Sequence, residues 1–298
     1  MILVGVATLA ACLVAVSTVA ARVWGHAVGG VLSAFPLIVG PVLLLAAVRQ
    51  DAAAAADTAV ATLLGLAALS AFVLAYGRSA ERWAWPASLA LGWATAAVAG
   101  LLAGRVSAGL ALALVVAAAS ILLARAALPR GPTAAAAVDL PAWELPARMA
   151  LTALLIVALT RAGERFGPTA AGILAALPIL ASVLAVFTHA RHGREALTAL
   201  LRGTLGGLAG FVAFCALVAL LVERAGVVPA FGLATAMAVV AQIAIARRSM
   251  TPDHPGLAGG SPGFPFPPTP GRRERREEAR SYVEPEPEVD RADLARPA

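Results

Sequence analysis

The chain lacks lysine and has few charged residues of any kind. Its 298 residues include 23 basic side chains, all of them arginine, and 17 acidic ones, so only 13% are charged. A water-soluble domain carries roughly a quarter charged residues, and a soluble globular protein is therefore excluded. We attribute the absence of lysine beside abundant alanine to GC-rich coding rather than to chemistry.

Residues typical of catalytic and metal sites are equally scarce. Both cysteines, Cys12 and Cys215, lie inside apolar runs, where we interpret them as small apolar side chains. The sequence contains no G-x-S-x-G, H-E-x-x-H or phosphate-binding loop. His26, His189 and His192 flank apolar runs without acids or cysteines at ligand spacing. We therefore predict no enzyme activity, no cofactor and no metal site.

Long apolar runs dominate what is present. Hydrophobic residues make up 60% of the chain and the mean hydropathy is +0.84. Runs of about 18 residues or more, the length that crosses ~30 Å of hydrocarbon, recur along the sequence. We predict an all-α polytopic membrane bundle of nine transmembrane helices. The predicted helices cover 2–21, 29–48, 57–77, 83–104, 107–127, 146–161, 168–188, 198–222 and 227–246.

The arginines are distributed between the apolar runs. A pI of about 10.8 is also typical of nucleic-acid binding, but singly scattered arginines indicate the ends of membrane spans instead. Eleven arginines fall in the loops after odd-numbered spans and five in the loops after even-numbered ones. The positive-inside rule therefore predicts an external N-terminus and a cytoplasmic C-terminus. Residues 251–298, rich in proline, glycine and mixed charge, are expected to form a disordered cytoplasmic tail.

A motif of glycine and proline occurs twice in the apolar part. The stretch "GHAVGGVLSAFPLIVG" begins at Gly25, and "GPTAAGILAALPILAS" begins at Gly167, 142 residues later. The same offset pairs Gly25 with Gly167, Gly30 with Gly172, Pro36 with Pro178, and Thr62 with Thr204. Such self-similarity indicates a duplication. We assign residues 1–104 and 146–250 to two four-helix repeats and 105–145 to a linker. The unpaired helix 107–127 would invert the second repeat, which gives a 4+1+4 arrangement.

Inverted repeats are a recurring plan of secondary transporters, which bind solutes near the membrane midplane. We expect Pro36 and Pro178 to break or kink their helices. The four motif glycines, Gly25, Gly30, Gly167 and Gly172, would permit close backbone approach; helix packing is the simpler interpretation for each taken alone. The predicted solute-contacting residues are Ser33, Pro36, Thr169, Pro178, Ser182, Arg202 and Thr204. The acidic residues, Glu144 among them, fall in loops or at span ends. Arg148 and Arg161 are expected to snorkel toward the headgroups. Arg202 would do the same if it does not contact the solute.

The second repeat resembles a known family. "GILAALPILASVLAVFTHARHGREALTALLRGTLGGL", residues 172–208, is similar to the GlpM-type family of small four-helix inner-membrane proteins, through Gly then Pro, a short basic loop and an Arg-x-Thr at Arg202 and Thr204. In the first repeat Val60 stands in the place of Arg202. The resemblance implies a multi-pass protein of the bacterial cytoplasmic membrane with a link to polysaccharide production. The repeat plan is also similar to the drug/metabolite transporter superfamily, which uses five helices per half.

Two functions remain open at this point. The first is a permease for an unidentified small solute, working by alternating access around the two proline-broken helices. The second is a non-transporting scaffold or assembly factor for envelope or exopolysaccharide machinery, which would need the arginine-rich tail. The expected partners are the lipid bilayer, the solute and a second copy of the chain; nucleic acid is not among them.

Overall fold

The computed structural model describes residues 2–37, 39–129, 141, 143–166 and 178–250. All of them lie in Met1–Asp253, one of the two units into which the chain divides. Gly167, Thr169 and Gly172 of the second motif, and the tail from residue 251, lie outside the described residues.

The described residues form nine helices and no strands. The helices are α1 (Ile2–Trp24), α2 (His26–Ser33), α3 (Val39–Arg49), α4 (Ala52–Ser79), α5 (Trp85–Ala103), α6 (Leu110–Ala127), α7 (Glu144–Phe166), α8 (Ile179–Ala225) and α9 (Val227–Met250). Seven of them are long and apolar enough to cross a membrane; α2 and α3 are not. The prediction of an all-helical, multi-pass membrane protein is confirmed for this part of the chain.

The helix predicted over 29–48 is broken at its proline. Helix α2 ends at Ser33, Pro36 lies in the intervening turn, and α3 begins at Val39. Proline has no N–H to donate and its ring clashes with the preceding turn, so a helix cannot continue smoothly through it. Pro178 has a related place, because it directly precedes the first residue of α8, with φ −80° and ψ 76°.

Helix α8 contains a sharp reversal at Gly193. A straight helix of 47 residues would be about 70 Å long, more than twice the hydrocarbon thickness. Gly193 has φ 77° and ψ −170°, a backbone conformation essentially restricted to glycine. Leu184 from the first half shares a small buried cluster with Leu200 from the second. The two halves, 179–192 and 194–225, therefore fold back on each other, as the separate helices predicted there require.

Helix α4 and the second half of α8 form the centre of the bundle. Phe72 and Tyr76 of α4 are fully buried in the same core as Leu201 and Leu205 of α8. Helix α4 packs along α5, α6 and α8, while α8 also packs on α2 and α9, and α1 packs on α2 and α7. Of the two cysteines, Cys215 is buried and Cys12 is exposed. Many large apolar side chains on the outside remain exposed, as is typical of helices that face lipid.

Candidate functional site

Polar side chains collect at two places along α2 and α8. We call the first the charge cluster; it consists of His26, Glu144, Arg148, Arg191 and His192. We call the second the hydroxyl crossing; it is the point where Ser33 of α2 meets Thr204 in the second half of α8.

The charge cluster is built around a buried ion pair in the first turns of α7. Glu144 is 0% exposed and Arg148 is 3% exposed. The Arg148 Nε donates to Glu144 Oε1 over 3.1 Å, and the Arg148 Nη2 donates to the same oxygen. Glu144 Oε2 has no hydrogen-bond partner among the described residues and lies 3.9 Å from Arg191 Nε. One carboxylate oxygen is thus satisfied, while the other faces a charge without a hydrogen bond.

Aromatic rings hold both arginines against the neighbouring helix. The Arg148 guanidinium carbon lies 5.1 Å from the centroid of the Phe187 ring, and that of Arg191 lies 5.2 Å from the Trp143 ring. Cations attract the negative face of an aromatic ring at such distances. These contacts connect the start of α7 with the end of the first half of α8.

Two histidines complete the cluster beside two glycine turns. The ring centroids of His26 and His192 are 5.0 Å apart. His26 directly follows Gly25 (φ 89°), and His192 directly precedes Gly193. Burial lowers the pKa of His26 to about 4, with further lowering by the charges of His192 and Arg148. The Nδ1 of His192 is buried without a hydrogen-bond partner among the described residues.

The sequence-based prediction that Arg148 snorkels is wrong. Its side chain turns inward because Glu144, one helical turn earlier on the same face, supplies a buried counter-charge. Glu144 does lie at a span end, as predicted, and it is fully buried there. The signal for both is a Glu and an Arg four residues apart at the start of an apolar helix, next to Trp143.

The hydroxyl crossing brings together two of the predicted residues. Ser33 Oγ donates to the Gly30 carbonyl over 2.7 Å and lies 3.4 Å from Thr204 Oγ1. Thr204 Oγ1 in turn donates to the carbonyl of Leu200 over 3.0 Å. The two hydroxyls are therefore each satisfied by their own helix, and they meet side by side at the helix contact.

Three glycines make this close contact between helix backbones possible. A Cβ added at Gly30 would overlap the Leu200 carbonyl oxygen, and one at Gly203 would overlap that of Ala27. Gly207, four residues after Gly203, lies in the same way against Val31. The Gly-x-x-x-Gly spacing is typical of tightly packed membrane helices. Gly203 was missed in the sequence analysis, although this spacing was readable there.

The remaining predicted residues make other contacts. Ser182 Oγ accepts from Trp93 Nε1 over 2.8 Å and donates to the Pro178 carbonyl over 2.8 Å. Arg202 donates to the carbonyls of Leu128 and Pro129, over 3.2 Å and 3.1 Å. Ser182 thus joins α8 to α5, and Arg202 caps the end of α6.

The loops predicted to be cytoplasmic meet at one end of the bundle. Arg202 reaches the end of α6, as described, and Arg194 donates to the Glu81 carbonyl in the turn after α4. His26, after α1, contacts His192 near the Gly193 turn. The charge cluster lies at this same end, because Glu144 begins α7 there.

The seven long apolar helices within the described ranges indicate a multi-pass integral membrane protein. Comparisons of the chain with family models, with curated proteins and with solved structures find no match. Any more specific function must therefore be argued from the arrangement of the side chains.

Proposed function

We propose that the protein is a permease for a small polar solute that works by alternating access. The observation that carries this proposal is the charge cluster. Burying ionised groups costs several kcal/mol per ion unless they are fully paired, and within membrane proteins such groups usually mark a solute or ion pathway. Glu144 Oε2 and His192 Nδ1 are both buried without a hydrogen bond among the described residues. A bundle that served only for packing would gain nothing from them.

In this proposal the charge cluster is a gate. It joins the start of α2, the start of α7 and the end of the first half of α8. Glu144 and Arg148 share one helix, so their ion pair survives when α8 moves. When α8 moves, the Arg191–Glu144 contact and the two arginine–ring contacts would break, which opens the gate. The glycine turns at Gly25 and Gly193 offer the backbone freedom for this movement.

The proposed pathway continues to the hydroxyl crossing and the broken helix. The break between Ser33 and Val39 interrupts the regular hydrogen bonding of a helix inside the bundle. Transporters use such discontinuous helices to bind solutes, because the freed backbone groups and nearby hydroxyls face a cavity. Ser33, Thr204 and the turn at Pro36 would thus contact the solute through neutral polar groups. Pro178 and Ser182 lie at the start of α8, where the matching turn of the second repeat would be.

The contacts between helices support the inverted 4+1+4 arrangement. Helices α1 and α7 are counterparts in the two repeats, and Ala10 of α1 packs with Ile156 of α7. From this contact the chain runs forward along α1 to His26 and back along α7 to Glu144, and both residues belong to the charge cluster. The two counterparts are therefore antiparallel neighbours, as a two-fold axis in the membrane plane requires. The orientation with a cytoplasmic C-terminus in a bacterial inner membrane belongs to the same proposal.

Flux measurements with reconstituted protein test this function. Wild-type protein in liposomes should take up at least one solute of a broad screen, and Glu144→Gln should lower that uptake roughly tenfold or more, by removing the charge that holds the gate. Glu223→Gln is the matched control, because Glu223 is exposed near the end of α8. A screen in which wild-type liposomes behave like protein-free ones would contradict transport. Removal of residues 251–298 should preserve uptake, whereas a scaffold that uses its tail would lose its role.

A further inference from the structure

A cleft between α4 and α5 lies outside the proposed gate and pathway. Its volume is about 570 Å³, within the range of sites for small molecules. Ala71, Leu74 and Leu91 line the part that we call its apolar floor, and Arg78, Arg82 and Trp83 line the part that we call its basic rim. The cleft therefore has an apolar floor and a basic rim.

The two arginines at the rim have no side-chain partner among the described residues. Arg78 and Arg82 are both exposed, and neither guanidinium has a hydrogen bond or an ion pair with the described residues. Glu81, the carboxylate nearest in sequence, is exposed and forms no ion pair with either one; its backbone carbonyl accepts from Arg194 instead. Two guanidinium groups four residues apart thus remain available to an outside anion.

We propose that this cleft binds a phospholipid with an anionic headgroup. Guanidinium groups bind phosphate oxygens through paired hydrogen bonds, so Arg78 and Arg82 would hold the headgroup. Ala71 lies two helical turns below Arg78, about 10 Å along the helix, where an acyl chain would follow the apolar floor. Trp83 is 51% exposed at the rim, the position that tryptophan prefers at the headgroup level.

The position of the cleft and its shape favour a lipid over a soluble phosphate. The rim follows α4 at the end of the bundle where the arginine-rich loops meet, and anionic lipids are attracted by basic residues at a membrane surface. A soluble phosphate would use only the arginines, and would leave the apolar floor exposed. A phospholipid would place its headgroup phosphate at the basic rim and an acyl chain on the apolar floor. This inference does not depend on transport.

Lipid retention in native mass spectrometry tests the proposal. The full-length protein in detergent is offered phosphatidylglycerol or phosphatidylcholine with identical acyl chains. We expect wild-type protein to retain phosphatidylglycerol roughly 10- to 30-fold more strongly, from about 1 kcal/mol for each arginine. The double variant Arg78→Gln/Arg82→Gln should lose this preference. Arg49→Gln/Arg224→Gln, which removes two exposed arginines elsewhere, should keep it.

Three outcomes would overturn the proposal. Equal retention of the two lipids by the wild type would remove the headgroup specificity. An equal loss in the two double variants would show a general effect of net charge. Displacement of phosphatidylglycerol by millimolar inorganic phosphate would show a phosphate site that does not use the apolar floor. All four exchanged arginines are exposed, so folding of the variants is expected and is checked by their thermal unfolding.

Discussion

The charge cluster and the hydroxyl crossing connect the same two helices by different physical means. They lie about 10 Å apart along α2, since His26 and Ser33 are seven positions apart on that helix. At the crossing, backbones meet through glycines and every hydroxyl that we describe is hydrogen-bonded. In the cluster, charges and rings make the contacts, and two buried polar atoms have no hydrogen bond to any residue that the structure describes. Close backbone packing stabilises the hydroxyl crossing, whereas electrostatic contacts stabilise the charge cluster.

This difference assigns separate parts to the two regions in the proposed permease. A close contact between backbones resists small displacements, because interiors of proteins are packed as densely as crystals. Unsatisfied polar atoms, in contrast, gain hydrogen bonds whenever water or a solute reaches them. We therefore regard the glycine-mediated backbone contacts of the hydroxyl crossing as the pivot, next to the solute-contacting Ser33 and Thr204, and the charge cluster as the gate.

The largest effect is expected from a substitution that breaks the charge cluster. Arg148→Ala leaves the Glu144 carboxylate buried without its two hydrogen bonds, and removing one partner of a buried pair costs about 3–5 kcal/mol. We expect a loss of this size in the free energy of unfolding, measured by chemical denaturation in mixed micelles. Glu144→Ala/Arg148→Ala should lose less than the sum of the two single variants. Stability of Arg148→Ala equal to that of the wild type would mean that water reaches Glu144.

The next largest effect is expected from a substitution that disturbs the hydroxyl crossing. Gly30→Ala places a methyl group against the Leu200 carbonyl, and such overpacking costs about 1–3 kcal/mol. We expect a lower melting temperature of the purified protein. Gly232→Ala is the control, because a Cβ at Gly232 meets nothing within 4 Å and alanine favours a helix. If the two variants melted alike, the close approach of α2 and α8 would be refuted.

The smallest expected effect is a pH dependence of stability that comes from His26. The pKa of His26 is lowered to about 4, below its unfolded value near 6.5. Between these values the unfolded chain binds more protons at this residue, so stability falls as the pH is lowered from about 6.5 toward 4. We expect the melting temperature of the wild type to fall over this range more steeply than that of His26→Gln. Parallel curves would show that His26 does not contribute. Ser33 and Thr204 at the hydroxyl crossing are not ionisable. The melting temperature of Ser33→Ala should therefore change with pH as steeply as that of the wild type.

Much of the fold was predictable because it depends on local patterns. Apolar runs of membrane length gave the helices, and Pro36 marked the break between α2 and α3. The candidate site was predicted less well. Ser33 and Thr204 were both identified, but their pairing joins residues 171 positions apart, and the inward turn of Arg148 was missed. Both depend on which helices become neighbours, which hydropathy does not encode.

The sequence by itself determined that this chain is a helical membrane protein, because an apolar run must satisfy its backbone hydrogen bonds within a helix when water is absent. It also determined the break at Pro36, since proline acts through its own backbone geometry. Only the tertiary structure decided that Glu144, Arg148 and His26 share one buried cluster. The reason is that the free energy of a charge depends on its surroundings in space, and those surroundings come from α2, α7 and α8 together.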